Sequence, residues 1–403
     1  MRILLVTGKG GVGKTTVAAA TALAAAERGH RTLVSSTDPA HSLADALGVK
    51  LGDRPSLVDG SLSGQQIDTQ QQLDRHWGAI SDQLMDVLDW GGVGGLQAEE
   101  FLVFPGMDEL FSLLEVNEHA RSGAYDVIVV DCAPTAETLR LLSLPEVLSW
   151  YFDRVMPAER RIMRAARPIL SRVTDLPMPE DSVFEAAQGV FEGIEQVKAL
   201  LADPDVTSAR LVVNPEKMVI DEARRTYTYL GLFGYGVDGV VVNRVLPDDV
   251  TDPYFDRWRQ IQADHLAGID RAFREVPRLR LRLFDDEMVG VARLRDLATE
   301  LYGDSDPIAD FHATNPFRVS DSGDDVVMEM DVPFVEKSEL EVFRHGNELY
   351  LEVGPYRRSF VLPDSLQRRE VARARLDDGV LSVTFGPAPA GRRSPKNKPG
   401  GER

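Results

Sequence analysis

The strongest constraint on the fold of this chain is a glycine-rich loop close to its first residue. The loop reads Gly8-Lys9-Gly10-Gly11-Val12-Gly13-Lys14-Thr15. It matches G-x-x-x-x-G-K-[ST], in which glycines let backbone N–H groups approach phosphate oxygens closely. An apolar run at 2–7 precedes the loop and an alanine-rich stretch follows from Thr16, which is the strand, loop and helix order that the motif requires. We therefore expect the loop and Thr16 to bind nucleotide phosphates, with Lys14 as the cation and Thr15 as a hydroxyl ligand for Mg²⁺.

Further apolar runs indicate a parallel sheet. They are Thr32–Ser35, Val127–Val130, Leu211–Val213 and Val240–Val242. None of them alternates between polar and apolar residues, so each is typical of a strand that is covered on both faces. Helical stretches lie between these runs, and the sequence therefore predicts an α/β fold with a mostly parallel sheet.

Apolar residues recur at helical spacing between about 70 and 120 and again between about 150 and 205, and we expect helical insertions in both ranges. Two interpretations of these apolar residues stay open. They pack in the core, or some of them line a groove for a client or partner, since methionine-rich surfaces adapt to varied ligands. The candidates for such a groove are Met156, Ile162, Met163, Ile169 and Leu170.

The chain is long enough for two domains, because it has 403 residues and single cores stop growing beyond roughly 250–300 residues. We expect a phosphate-binding domain over 1–305 and a linker over 306–325, where acidic, Ser, Gly and Pro residues accumulate. Short alternating segments separated by turn residues predict a small β-sandwich over 326–386. The remainder, 387–403, is rich in Pro, Gly, Arg and Lys and reads as a disordered tail.

Composition excludes several classes of protein. A net charge of −19 opposes binding to nucleic acid or anionic lipid through the surface as a whole. No signal peptide and no membrane-spanning run is recognisable, so we expect a cytoplasmic protein. Cys132 is the single cysteine, which leaves no internal disulfide and no cysteine-built zinc or iron–sulfur site within one chain. We expect Cys132 to be a buried apolar residue rather than a thiolate ligand.

Carboxylates and hydroxyls follow two of the predicted strands. Asp131 ends the run at 127–130, which is the position that holds Mg²⁺ through a bound water in phosphate-loop proteins. Asp38 follows the run at 32–35 and could orient an attacking water, while Ser42 is a further Mg²⁺ ligand candidate. The plainer interpretation of Asp38-Pro39 is a turn that starts a helix.

Three segments favour the catalytic interpretation, together with the form K-G-G-V-G-K-T-T of the loop. They are S-T-D-P-A-H-S-L-A-D-A-L-G from Ser36, P-G-M-D-E-L from Pro105 and D-C-A-P-T-A-E-T-L-R-L-L from Asp131. In order and spacing they resemble the ArsA family of ATPases, which includes the arsenite-pump ATPase and the ATPase that targets tail-anchored membrane proteins. The resemblance covers roughly 1–300 and implies Mg²⁺-dependent ATP hydrolysis.

The resemblance also implies roles for single residues. Lys9 would reach across a dimer interface to the partner's nucleotide and stabilise charge on the transferred phosphoryl group, as an arginine finger does. Asp38 would be the switch I carboxylate that positions water, and Asp131 would belong to switch II. Asn243 would contact adenine. The remaining contacts with the base would come from Pro215, Glu216 and the segment that begins at Phe284.

The sequence departs from the family pattern in two ways. Family switch II commonly reads D-T-A-P-T-G-H-T, whereas Cys132, Ala136 and Glu137 stand here, so the coupling of hydrolysis to client release is open. The chain has one phosphate loop, not two, and is expected to form a homodimer. It lacks the paired Cys-x-x-Cys that clamps zinc between protomers in the eukaryotic targeting members, so the dimer has no zinc clamp.

Residues 326–386 resemble the α-crystallin-like domain of small heat-shock proteins, including an A-x-x-x-x-G-V-L signature from Ala374. An unrelated β-sandwich stays open, because short β signatures are weak. We expect an ATP-switched carrier or chaperone for a hydrophobic client protein or membrane-protein segment. The alternative is an energising subunit that docks on a membrane transporter of arsenicals or other anions. A positioning ATPase for DNA is disfavoured by the acidic charge.

Overall fold

This computed structural model describes residues 1–37, 42–68, 107–132, 181–309, 315–354, 356–362 and 364–386, with isolated positions between 71 and 85 and Phe311. The chain divides into two compact units, the second beginning at Pro316. Within the described residues, no helix is both long enough and apolar enough to cross a membrane.

The first unit is built on an eight-stranded sheet in the order β3-β4-β2-β5-β1-β6-β7-β8. The strands are β1 (Arg2–Thr7), β2 (Thr32–Ser36), β3 (Ser56–Asp59), β4 (Leu62–Gln66), β5 (Val127–Asp131), β6 (Thr207–Val213), β7 (Val237–Val245) and β8 (Arg278–Arg282). All neighbouring strands are parallel except β3, which runs antiparallel to β4. The mostly parallel α/β sheet predicted from the sequence is confirmed.

Helices connect and flank these strands. They are α1 (Lys14–Glu27), α2 (Ser42–Leu47), α3 (Met107–Ser122), α4 (Asp181–Ala202), α5 (Lys217–Leu232), α6 (Asp256–Ala272) and α7 (Val291–Tyr302). The alanines of α1 let it lie close to β5 and to α7, and most of the helix is buried. The helix ends before Gly29, which adopts a φ of 93° that favours glycine. Helices α3 and α4 fall inside the predicted insertion ranges, and Met156, Ile162, Met163, Ile169 and Leu170 lie outside the described residues.

A buried ion pair joins β6 to β7 below the carboxyl edge of the sheet. The Arg210 guanidinium donates to both carboxylate oxygens of Asp238, at 3.0 and 2.9 Å, and the two side chains are 0% and 2% exposed. Arg210 also donates to the hydroxyl of Tyr302 and to the carbonyl of Pro307. Burial alone would lower the pKa of Arg210, but the carboxylate of Asp238 raises it above its usual value. A fixed charge pair therefore lies inside this part of the core.

The second unit contains two antiparallel sheets. One has the order β14-β15-β10-β9 and the other β11-β12-β13. The strands are β9 (Phe317–Ser322), β10 (Asp325–Asp331), β11 (Leu340–His345), β12 (Glu348–Val353), β13 (Tyr356–Val361), β14 (Val371–Asp377) and β15 (Val380–Phe385), with a short helix α8 (Asp364–Gln367) between β13 and β14. Alternate residues of β10, β12 and β15 are buried, and the rings of Phe317 and Phe360 stack across the two sheets. The small C-terminal β domain predicted from the sequence is confirmed as a fold, and its first strand begins at Phe317.

The predicted linker at 306–325 differs from the structure. Pro307 accepts a hydrogen bond from Arg210 in the first unit, and β9 pairs with β10 over most of the second half of the range. β9 was missed because it is an edge strand with mostly exposed residues, which carries little apolar signal. Strands β3, β4 and β8 were missed as well. β3 and β8 are edge strands with few fully buried residues, and β4 is buried but reads Leu-Ser-Gly-Gln-Gln, which is not an apolar run. The predicted tail at 387–403 lies outside the described residues.

Candidate functional site

The glycine-rich loop connects β1 to α1 in the middle of the sheet, with β6 on one side of β1 and β5 on the other. Its first glycine lies against β6, since a Cβ at Gly8 would stand 2.3 Å from the carbonyl oxygen of Val212. Gly13 is equally confined, because its Cβ would stand 2.5 Å from Nδ2 of Asn243 and its φ is 95°. Two of the glycines are therefore required by contacts of the loop with neighbouring strands.

Asn243 fastens the loop to β7. Its Nδ2 donates to the carbonyl oxygen of Val12 at 2.8 Å, and its Oδ1 accepts from the backbone N–H of Arg244 at the same distance. The side chain is 8% exposed. The sequence singled out Asn243 as an adenine contact, and the structure places it against the loop itself. In this arrangement it holds the shape of the loop that surrounds phosphate.

The two lysines of the loop point to different surroundings. Lys14 is 8% exposed and its Nζ donates to the carbonyl oxygen of Lys9 at 3.4 Å, so its charge lies inside the concave side of the loop. Lys9 is 32% exposed, and its Nζ lies 3.8 Å from a carboxylate oxygen of Glu222 on α5. The side chain of Lys14 therefore lies within the loop, whereas the partly exposed side chain of Lys9 points outward, towards α5.

Oxygen ligands gather beside the loop. The hydroxyl of Thr15 lies 3.2 Å from that of Ser42, which begins α2. Asp131 is buried at the end of β5, directly beside Val6 of β1, and one of its carboxylate oxygens accepts from Ser36 at 3.4 Å. Hydroxyl and carboxylate oxygens are the ligands that Mg²⁺ prefers. The structure thus brings Thr15, Ser42 and Asp131 to one edge of the sheet, as their positions in the sequence predict.

Cys132 follows Asp131 and is fully enclosed. Its backbone N–H donates to Val6, and its thiol lies 3.7 Å from the carbonyl oxygen of Val130. Burial, and then the carboxylate of Asp131, raise the pKa of the Cys132 thiol to about 12. The side chain is a neutral, buried group, as the sequence predicts.

The remaining candidates follow neighbouring strands or lie outside the described residues. Pro215 and Glu216 come directly after β6, and Glu216 precedes the first residue of α5. Phe284 follows β8, and the guanidinium of Arg282 lies 5.0 Å from the centre of its ring. Parallel strands present their carboxyl ends at one edge, so these residues share the edge with the loop. Asp38, Ala136 and Glu137 lie outside the described residues.

Sequence reasoning missed Glu222. It is more than 200 residues from Lys9 and stands in a helix that carries no motif. Only the topology connects them, because α5 follows β6 and β6 pairs with β1. The order of strands in a sheet cannot be read from a short stretch of sequence, so no local sequence pattern predicts this contact.

Comparison with known proteins agrees with this geometry. Residues 1–303 match the family of anion-transporting ATPases known as ArsA, and residues 323–385 match the HSP20-like domain found in ArsA. The first match covers the whole sheet and the loop, and the second covers six of the seven strands of the second unit in full or nearly so.

Relatives extend over almost the whole chain. A protein of Aquifex aeolicus named "Putative arsenical pump-driving ATPase 1" is 37% identical, with 95% of this chain and 99% of the relative aligned. A "Putative arsenical pump-driving ATPase" of Chlorobaculum tepidum is 39% identical over 96% of each chain. The "ATPase get3" of Aspergillus niger is 31% identical and aligns with 75% of this chain and 90% of its own length. This chain therefore belongs to the ArsA family and is an ATPase that carries an HSP20-like domain after its nucleotide-binding unit.

Proposed function

We propose that ATP closes a homodimer of this chain, in which Lys9 of each protomer acts on the nucleotide of the other. Closing and opening would then control the binding and release of a hydrophobic client. The observation that carries the proposal is the outward placement of Lys9 beside a buried Lys14 in one loop. A second cation of this kind stabilises charge that develops on a transferred phosphoryl group.

Within one protomer, the loop from Gly8 to Thr16 would bind the phosphates of ATP. Backbone N–H groups and the start of α1 present positive partial charge there, and Lys14 adds a full charge. Thr15 and Ser42 would hold Mg²⁺, with Asp131 acting through a bound water. The fit rests on the 3.2 Å separation of the two hydroxyls and on the buried carboxylate beside β1. When bound, the ion neutralises part of the phosphate charge.

Asp38 would position the attacking water, as the resemblance implies for the carboxylate after β2. The adenine would lie at the carboxyl ends of β6, β7 and β8. Asn243, Pro215, Glu216 and Phe284 are the residues proposed to contact it. Asn243 would do so while its Nδ2 holds the backbone of Val12, which would link base binding to the shape of the phosphate loop.

The proposed binding sites for the client lie on the second unit and on the helical insertions. The two antiparallel sheets of the second unit end in the edge strands β9, β14, β11 and β13. Edge strands offer unpaired backbone groups to an extended segment of another protein. The HSP20-like match over 323–385 supports a chaperone-like role for these edges. The proposed dimer has no Cys-x-x-Cys pair to clamp zinc, since the chain has a single cysteine.

A transporter partner is the second candidate. The family is described as anion-transporting, and two of the relatives reported above are named as pump-driving ATPases for arsenicals. In this candidate the same ATP-driven closure would act on a membrane-embedded anion transporter. The single buried Cys132 cannot supply a set of thiolates for arsenite within one chain.

The test is the size of the protein by light scattering without nucleotide, with ADP, and with ATP on the Asp38→Asn variant. We expect a dimer that closes around ATP and retains an aggregation-prone helical peptide, with ATPase turnover indifferent to arsenite. Strong activation by arsenite without peptide retention would favour the transporter candidate.

Lys14→Ala is expected to abolish ATP binding or hydrolysis, and Lys9→Ala to keep ATP binding and abolish turnover. Normal turnover by Lys9→Ala would refute the role of Lys9 in the second protomer's site.

A further inference from the structure

Lys9 already has an ionic partner in its own chain. Its Nζ lies 3.8 Å from Oε2 of Glu222, and the two side chains are 32% and 27% exposed. The contact joins the outward side of the phosphate loop to the second turn of α5. A single protomer therefore holds the ammonium group that the proposed function assigns to the second protomer's nucleotide.

Topology brings the two residues together. β6 pairs with β1 residue by residue, so α5, which follows β6, starts beside the loop that follows β1. Glu222 is the residue of α5 that reaches Lys9, whereas its neighbour Asp221 lies 3.8 Å from Arg224 of the same helix. Two adjacent carboxylates on one helix thus have different partners.

The strength of the contact suits an exchangeable partner. A partly exposed ion pair contributes little to stability, because water screens the charges and both side chains lose freedom. The Arg210–Asp238 pair, which is fully enclosed, cannot exchange partners without leaving a buried charge. The Lys9–Glu222 pair can open when a more highly charged anion, such as the phosphates of a second protomer's nucleotide, becomes available.

We propose that Glu222 is a positioning residue for Lys9. It holds the ammonium group on its own protomer until a second copy of the chain presents bound ATP, and then releases it. This inference rests on the proposed homodimer. It adds that Glu222 competes with the second protomer's nucleotide for the ammonium group of Lys9. The Lys9–Glu222 contact must break for each interface to form, so Glu222 sets the protein concentration at which ATP-dependent dimers and turnover appear.

The test is the Glu222→Gln variant, which keeps the shape of the side chain and removes its charge. Each dimer breaks two of these partly exposed ion pairs, and removing each competitor is worth about two- to fivefold. Half-maximal ATPase activity is therefore expected at about four- to twenty-five-fold lower protein concentration. The turnover number at saturating protein should equal that of the wild type. Asp221→Asn is the matched control and should leave both quantities unchanged. A thermal unfolding midpoint equal to that of the wild type excludes a folding defect.

The double variant Lys9→Ala/Glu222→Gln separates a role through Lys9 from any other role. Light scattering in ATP should show the same dimerisation as Lys9→Ala alone, because the competitor matters only when Lys9 is present. The inference would be overturned if Glu222→Gln strengthened dimerisation even without Lys9. A lower turnover number of Glu222→Gln at saturating protein would overturn it as well. If Lys9→Ala is inactive while Glu222→Gln behaves as the wild type, the inference fails and the dimer proposal stands. If Lys9→Ala turns over normally, the dimer proposal itself fails.

Discussion

Gly13 and Gly10 belong to one phosphate loop, yet an added Cβ would meet different surroundings at the two positions. At Gly13 it would stand 2.5 Å from the side chain of Asn243, whereas at Gly10 nothing lies within 4 Å. Gly8 shares the confinement of Gly13, and Lys9 shares the outward position of Gly10. The loop thus has a packed side, set against β6 and β7, and an outward side.

This difference separates the part of the loop that is packed within one chain from the part that the proposed dimer would use. On the packed side, a Cβ at Gly8 or Gly13 would collide with β6 or with Asn243, and Lys14 is buried nearby. On the outward side, Lys9 makes a partly exposed ionic contact with Glu222. The proposed dimer uses the outward side, so the two sides should respond differently to substitution.

The largest effect is expected from the core that supports the packed side. Asp238→Asn would leave the Arg210 guanidinium charged and without its carboxylate between β6 and β7. Breaking a buried pair in this way costs about 3–5 kcal/mol of unfolding free energy. Denaturant unfolding measures the loss. The control is Asp126→Asn, which breaks an exposed pair with Arg31 and should change stability far less. Equal losses of unfolding free energy for the two variants would contradict the buried position of the Arg210–Asp238 pair.

Next comes the pair of glycine substitutions. Gly13→Ala forces a Cβ onto Asn243 at a φ of 95°, so ATP affinity should fall by at least about 100-fold. Gly10→Ala, whose added Cβ would meet no protein atom within 4 Å, should lower ATP affinity far less. If the second copy approaches the outward side, Gly10→Ala should still weaken ATP-dependent dimerisation, and calorimetric titration beside light scattering distinguishes the two effects. Equal losses of ATP affinity would remove the distinction between the sides.

The smallest expected effect concerns Cys132, which is buried directly after β5. Its pKa of about 12 lies above the value in an unfolded chain, so the neutral thiol stabilises the fold fully below the unfolded pKa, and that stabilisation is lost as pH rises towards 12. At about pH 8, iodoacetamide should modify the folded protein at least about tenfold more slowly than the protein in denaturant. Equal rates of modification would show that the thiol is accessible.

Much of the nucleotide unit could be predicted from sequence because its signals are local. The loop, the strand before it and the helix after it are contiguous, and the central strands β1, β2, β5, β6 and β7 contain apolar runs, whereas the buried strand β4 does not. The start of β6 was missed because Arg210 interrupts its apolar pattern, although the charge is satisfied by Asp238. Edge strand β9 was read as part of a linker because its side chains are mostly exposed.

The site was predictable in part, for the same physical reason. Thr15, Ser42 and Asp131 follow strands whose carboxyl ends meet at one edge, and the structure brings them there. The contacts of Asn243 with Val12 and of Lys9 with Glu222 depend on strand order, which joins residues more than 200 positions apart. The phosphate, Mg²⁺ and adenine contacts, and the roles of Lys9 and Asp38, stay predictions.

The central claim is that Lys9 serves the site of the other protomer. Lys9→Ala and Asp38→Asn are each expected to bind ATP without turnover, and the direct measurement is the ATPase rate of the two variants mixed in equal amounts. In a mixed dimer, the site of the Lys9→Ala protomer keeps Asp38 and receives an intact Lys9 from the partner. The mixture should recover about a quarter of the wild-type rate, since half of the random dimers are mixed and each has one complete site. A mixture as inactive as its components would contradict the account.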